Sequence, residues 1–312
     1  MKRILVTGGA GFIGSHLVEH FQSKTRVRVL DNLRTGRREN IAHLNAEFIE
    51  GSVLDREAVR AAVKDVDCVF HLAGMVSVAE SMQRPVECVA LNVTGYLHVL
   101  EEAAAAGVKK VVFSSSAAVY GDNPTVPKLE TMPPEPRSPY ALTKLDGEYY
   151  GAMFTEAKKL SVVSLRFFNV FGPRQDPASE YAGALAIFLR RALASEPITI
   201  YGDGEQTRDF IHVRDIVAAC VFAATARPAL TGVYNVGYGR QTTINEIVHT
   251  ILADTSSRSV VTREPMRAGD VRHSVASVAK LCGEGFRASG NLRDALRETV
   301  LEARRRQAPM RR

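Results

Sequence analysis

The first half of the chain alternates short β-branched runs with longer stretches whose apolar residues recur at helical spacing. Ile4–Val6, Val27–Leu30, Ala46–Ile49, Cys68–Leu72, Lys110–Ser114 and Val162–Phe167 each read as a buried strand. Between them, Gly14–Ser23, Arg56–Val63, Pro85–Ala106 and Pro139–Leu160 read as helices. Strands separated by helices imply right-handed crossovers and a parallel sheet covered on both faces. The pattern therefore predicts an α/β fold with a doubly wound parallel sheet. Its ligand crevice should lie at the carboxyl ends of the strands.

From about Gly172 the rhythm breaks. Pro173, Pro177, Pro197 and the turn Gly202-Asp203-Gly204 interrupt it. Two further strand-like pieces, Phe210–Val213 and Val233–Val236, flank the apolar helix Ile216–Ala226 and are expected to return to the sheet. The remainder should build a smaller, lid-like C-terminal α/β region that holds the substrate.

Composition narrows the function classes. At 312 residues, 46% hydrophobic and 24% charged, the chain has the make-up of a globular protein with a full core. No window supplies the ~18 consecutive apolar residues of a membrane span. The opening Met1-Lys2-Arg3-Ile4-Leu5-Val6 is cut short by Thr7-Gly8-Gly9, so a first strand is expected rather than a signal peptide, and a cytoplasmic location with it. Cys68, Cys88, Cys220 and Cys282 lie far apart without metal-ligand spacing, so no metal is expected. The net charge of +6 owes five charges to Arg304, Arg305, Arg306, Arg311 and Arg312, read as a solvated, mobile tail over residues 304–312. Neither nucleic acid nor a membrane is an expected partner.

Gly8-Gly9-Ala10-Gly11-Phe12-Ile13-Gly14 sits between the first strand and the first helix. Gly8 permits the tight turn, Gly11 lets the backbone approach a pyrophosphate, and Gly14 allows close helix–strand packing. The helix N-terminus then offers free N–H groups to phosphate. Asp31 ends the second strand, where a carboxylate suits a ribose diol and repels a 2′-phosphate, so NAD is favoured over NADP. Arg34, Arg37 and Arg38 nearby pull the other way.

Val111-Val112-Phe113 runs into Ser114-Ser115-Ser116 at the end of a central strand. Ser138-Pro139 then starts a helix on which Tyr140 and Lys144 share a face. A lysine ammonium beside a phenol, with a positive nicotinamide ring close to both, favours the phenolate and makes a general base usable near neutral pH.

These motifs, with Tyr120-Gly121 and Arg166-Phe167-Phe168-Asn169, resemble the extended short-chain dehydrogenase/reductases, and within them the UDP-hexose 4-epimerases, over essentially the whole chain. The resemblance implies a Rossmann domain over residues 1–171, with 210–238 returning to it. It also implies a UDP-sugar-binding region over 172–209 and 239–312, and a homodimer packed through Pro85–Ala106 and Pro139–Leu160. Catalysis would fall to Ser116, Tyr140 and Lys144. The cofactor would lie along Gly8, Gly11, Phe12, Ile13, Gly14, Asp31 and Asn32, with Ser52 and Val53 flanking adenine. Leu72, Ala73, Gly74, Asn92 and Ser114 would line the nicotinamide side. The family more often has Asp where Ser52 stands. The UDP-sugar would meet Ser77, Asn169, Gly183, Tyr201, Arg208, Arg267 and Asp270.

Relatives that dehydrate or decarboxylate the sugar carry an acid just after the catalytic Ser/Thr, where this chain has Ala117 and Ala118. Epimerisation at C4 by oxidation and re-reduction remains. Ser274, four residues past Asp270, stands where the resembled enzymes gate the pocket; a small residue there admits a 2-acetamido group. The expected substrate pair is UDP-N-acetylglucosamine and UDP-N-acetylgalactosamine, with possible work on UDP-glucose. Val76 departs from the acetamido-preferring enzymes, where glycine is usual. The alternatives are a strict UDP-glucose 4-epimerase, a UDP-glucuronate 4-epimerase and a non-catalytic NAD-binding sensor.

Overall fold

A computed structural model describes residues 1–176, 183–266 and 271–307. Its centre is a seven-stranded sheet built of β1 (Arg3–Thr7), β2 (Arg26–Asp31), β3 (Glu47–Glu50), β4 (Cys68–His71), β5 (Lys110–Ser116), β6 (Ser161–Phe167) and a last strand, Gly232–Val236. The spatial order is Gly232–Val236, β6, β5, β4, β1, β2, β3, and every pairing is parallel. The order reverses at β1, so the loops after β4, β1 and β2 open a crevice at the strands' carboxyl ends.

The two faces of the sheet are sorted by the two-residue period of its strands. Ile4, Val6, Val29, Phe70, Val112 and Leu165 face one core, with Leu17 and Val18 of α1 (Phe12–Phe21) and Ile216, Ala219 and Cys220 of the helix Val213–Thr225. Leu5, Leu30, Val69, Val111 and Phe113 face the other, against Val59 and Val63 of α2 (Arg56–Val63) and Val99 and Leu100 of the helix Gly95–Ala105. Truncating one of these side chains, such as Leu5→Ala, should cost about 2–5 kcal/mol.

A third core belongs to the C-terminal elements. Leu185, Phe188 and Leu189 of the helix Ala184–Leu193 pack with Ile198 and Ile200 and with Ile247 and Ile251 of the helix Ile244–Thr255. The latter helix is started by a reciprocal capping box between Thr243 and Glu246. Leu296 and Val300 of the helix Leu292–Gln307 close the cluster.

Three expectations change. Phe210–His212 is a strand, but it pairs in parallel with Asn169–Phe171 as a separate two-stranded sheet and does not rejoin the large one; only Gly232–Val236 does. A buried aspartate explains the diversion. Asp209 accepts hydrogen bonds from Tyr238 N, Gly239 N and Ala276 N, and so anchors the start of that strand to the loop leaving the large sheet. The Pro85–Ala106 segment is helical throughout but contains a π turn at Ala90–Thr94, which a 3.6-residue period does not register. Finally, Arg304 is no part of a mobile tail: the last helix runs to Gln307, and the Arg304 guanidinium donates to the Thr255 carbonyl.

Candidate active site

The crevice over β1 is a cradle in which side chains have no place. A Cβ on Gly14 would stand 2.2 Å from the Gly8 carbonyl oxygen, and one on Gly8, whose φ is +70°, would stand 2.7 Å from Ala73 N. Glycine at both positions thus brings the α1 N-terminus, β1 and the loop after β4 into direct backbone contact. Asp31 is nearly buried and accepts from Ala10 N at 2.9 Å and Leu33 N at 2.8 Å. Burial raises its carboxyl while those two N–H groups pull it back down. A carboxylate tied to the glycine loop beside an open helix N-terminus fits the adenosine ribose and pyrophosphate of NAD. The nearby arginines do not oppose this. Arg34 pairs with Glu80 and Glu87, Arg37 pairs with Asp176, and the Arg38 guanidinium stacks over Phe48 at 4.0 Å.

At the adenine end, Ser52 and Val53 lie in the turn that leads into α2. The Ser52 hydroxyl accepts from Leu54 N at 3.2 Å, and Asp55 caps the helix through Glu57 N and Ala58 N. Val53 is buried against Gly95, and its carbonyl meets His98 Nδ1 at 3.1 Å. Ser52 thus forms a turn into the helix.

The reacting end is built where β5 meets the helix Pro139–Lys158. Ser138 caps that helix through Ala141 N, Pro139 takes the first turn, and Tyr140 and Lys144 follow one turn apart. Lys144 is buried and donates from Nζ to the Ser114 carbonyl at 2.7 Å. Its ammonium lies 5.0 Å from the Phe113 ring and 5.8 Å from the Tyr140 ring. Burial brings its pKa down to about 8. Beneath it, His71 stacks on Tyr96 and bonds Thr7 Oγ1 at 2.9 Å; burial and the Lys144 charge hold it near 3, so it stays neutral.

Tyr140 is half-buried, and the Ser116 hydroxyl lies close enough to favour its ionised form. Burial alone pushes the Tyr140 phenol above its ordinary value, and the Ser116 hydroxyl only partly offsets that. The expected phenolate therefore depends on the positive nicotinamide ring beside it as well as on Lys144.

Two residues expected on the nicotinamide side also brace the frame. Asn92, in the π turn, accepts from Met75 N at 2.7 Å and donates to Met75 O and to Thr143 Oγ1, each at 3.0 Å. Its amide braces the loop of Leu72, Ala73 and Gly74 against the catalytic helix. Gly74 has φ +153°, and a Cβ there would meet Asn92 Oδ1 at 2.6 Å. Ser114 donates its hydroxyl to the His71 carbonyl at 3.0 Å, so only its carbonyl serves the site, through Lys144.

Other braces were not found from the sequence. Glu148 continues the Tyr140–Lys144 face by one more turn. It receives Arg166 Nε at 2.8 Å, Arg166 Nη2 at 2.7 Å and the Ser115 hydroxyl at 2.5 Å, all buried. The Arg166 guanidinium lies 4.7 Å over the Tyr120 ring, and the Tyr120 hydroxyl donates to Asn235 Oδ1 at 2.7 Å. The i, i+4, i+8 spacing of Tyr140, Lys144 and Glu148 was the available signal. Ser81 was missed for want of any: its hydroxyl accepts from Tyr140 N at 3.2 Å.

On the sugar side, a three-stranded patch places Thr207–Arg208 between Thr242–Thr243 and His273–Ser274. Arg208 and Ser274 are register partners, so a guanidinium and the proposed gate sit side by side. Tyr201 ends the strand Ile198–Tyr201, exposed Asn169 begins its short strand, and Gly183 starts a helix. Ser77 is buried and uses its hydroxyl to cap the helix Val78–Gln83 through Glu80 N. Arg267 and Asp270 lie outside the described residues, as does Pro177.

Comparison with known proteins agrees with this geometry. Residues 4–237 match the NAD dependent epimerase/dehydratase family. A putative UDP-glucose 4-epimerase of Methanocaldococcus jannaschii is 35% identical over 300 residues, covering 95% of this chain and 97% of that one. A UDP-N-acetylglucosamine 4-epimerase from Methanobrevibacter ruminantium, solved with UDP-N-acetylmuramic acid, superposes with a TM-score of 0.94 at 39% identity, covering 98% of this chain and 99% of the other. A Thermus thermophilus UDP-glucose 4-epimerase solved with NAD gives a TM-score of 0.90 at 39% identity, covering 97% and 99%. With the glycine cradle, the Asp31 anchor and the Ser116–Tyr140–Lys144 cluster all in place, this chain belongs to the NAD-dependent epimerase/dehydratase family and uses NAD as its cofactor.

Proposed function

We propose that the chain interconverts UDP-N-acetylglucosamine and UDP-N-acetylgalactosamine at C4, and also accepts UDP-glucose and UDP-galactose. The observation that carries this reading is the junction of β5 with the catalytic helix. Ser116 and Tyr140 are brought together there, Lys144 is buried one turn on, and Ala117 and Ala118 follow the serine. When bound, NAD supplies the hydride acceptor and donor at C4 and a positive charge beside Tyr140 and Lys144. The Tyr140 oxygen takes the proton of the 4-hydroxyl, and Ser116 holds the 4-oxygen in place. The resulting 4-keto sugar turns its other face to the cofactor, and Tyr140 returns the proton. Alanines at 117 and 118 offer no acid or base toward C5 and C6, which disfavours dehydration and decarboxylation.

The sugar preference rests on Ser274. Its small side chain stands beside Arg208, a candidate clamp for the diphosphate, where a bulky one would crowd a 2-acetamido group. Tyr201, Asn169 and Gly183, together with Arg267 and Asp270, would complete the nucleotide and sugar contacts. Ser274→Tyr should abolish turnover of the acetylated sugars and spare UDP-glucose, read by NMR of the products without added NAD. Equal loss on both substrates, or on neither, would remove Ser274 as the gate.

A homodimer suits the outer surface. Val86, 83% exposed, and Val89 lie on the helix that begins at Pro85; Leu142, Tyr149 and Met153 line the outer face of the catalytic helix. Covering that apolar stripe with a second copy would form a four-helix packing, which sedimentation checks.

A further inference from the structure

We propose that Arg34, with Glu80 and Glu87, forms an ionic latch across the mouth of the cofactor crevice, and that its opening controls how fast NAD leaves. The topology carries the argument. Arg34 stands in the loop after β2, whereas Glu80 and Glu87 stand on the short helices that follow β4. β2 and β4 flank β1, so a bond from one to the other passes over the carboxyl end of β1 and the glycine loop. The Arg34 Nη2 atom reaches Glu80 Oε1 at 2.5 Å and Glu87 Oε1 at 3.0 Å, and the Glu80 side chain is only 13% exposed.

The same loop is fastened at its other end. Arg37 Nη2 meets Asp176 Oδ2 at 2.6 Å, and the Arg37 N–H donates to the Ala10 carbonyl at 3.0 Å. The Asn40 amide donates to that carbonyl as well, at 2.9 Å. The loop opens with Leu33 in the left-handed region at φ 56°, held there by Asp31. A residue so placed stays only while its surroundings over-determine it. Asn32 through Arg37 is therefore a segment whose Leu33 packs on the core and whose arginines are pinned by ion pairs to both flanks of the groove. Arg84 adds a second cation to the same carboxylates, 3.9 Å from Glu80 and 3.5 Å from Glu87.

The latch also reaches the reacting end. Glu80 rides on the helix capped by Ser77, and Ser81 of that helix accepts from Tyr140 N. Retention of cofactor and placement of the catalytic helix thus share one element. Pairing with both carboxylates also leaves the Arg34 charge balanced within the latch.

The test is independent of which sugar the enzyme turns over. NAD-loaded protein is diluted into NAD-free buffer at 0.05 M and 1 M salt, and protein-bound NAD is quantified over time. Ion pairs of this exposure predict that Glu80→Gln/Glu87→Gln releases NAD about fivefold faster at low salt. The unmodified protein's own release should accelerate with salt while the double variant's changes little. The salt series on the unmodified protein needs no variant to fold. Equal release rates for the two proteins at low salt, or a rate for the unmodified protein that salt leaves unmoved, would overturn the latch.

Discussion

The two halves of the candidate site are held in place by different forces. The cofactor half is made of backbone at the ends of long parallel strands, and its shape follows from what cannot be added: a Cβ at Gly8 or Gly14 collides with main chain. The sugar half hangs on strands of two to four residues, and buried polar hubs tie those strands together. Asp209 gathers three backbone N–H groups from two later segments. Asn235 joins Tyr120 to the Lys128 and Ser277 carbonyls. Strand pairing distributes its strength over many bonds, whereas a hub concentrates it in one side chain. One substitution should therefore undo far more in the second half than in the first.

The largest expected effect is chemical and sits between the halves. Tyr140→Phe should lower turnover about a thousandfold while bound NAD is retained, measured by product NMR and by cofactor content. Turnover near that of the unmodified protein would transfer the proton to another group.

Next comes the hub. Asp209→Ala strands three N–H donors, of which that of Ala276 is buried, and should cost about 3 kcal/mol of stability, seen as a fall in Tm. NAD binding should survive at temperatures where the UDP-sugar is no longer bound. Loss of both together would mean that the halves unfold as one and that the contrast is false.

A smaller effect sharpens the cofactor half. Burial brings Lys144 down to about 8 from an ordinary 10.5. The unfolded chain therefore holds this proton more tightly than the folded one. The cost of burying the charge is fully present below pH 8 and fades as pH climbs toward 10.5. At fixed cofactor loading, stability relative to Lys144→Met should rise by on the order of 2 kcal/mol between pH 8 and pH 9.5. A flat difference would mean that the ammonium is better solvated than its burial implies.

The same contrast explains what could be read in advance. The sheet was legible because β-branched runs, helical spacing and a glycine loop are local signals, and β1 to β6 stand where those signals point. Ser116, Tyr140 and Lys144 were legible for the same reason: a strand end, a Ser-Pro helix start and a one-turn spacing are all local. The hubs were not. Asp209 lies 67 residues from Ala276 and Asn235 lies 107 from Lys128, and nothing in either stretch marks the partner. The misplacement of Phe210–His212 is the direct consequence, since its apolar pattern suits either sheet and the choice is made by Asp209. The bracing role of Asn92 was hidden as well, since the π turn that aims it at Met75 and Thr143 leaves no mark in the helical period.

The most direct measurement follows the hydrogen at C4 of the sugar. UDP-N-acetylglucosamine deuterated at that carbon, incubated with the purified protein and no added NAD, should yield UDP-N-acetylgalactosamine that keeps its deuterium at C4. Deuterium lost to solvent, or a product altered at C5 or C6, would contradict the account.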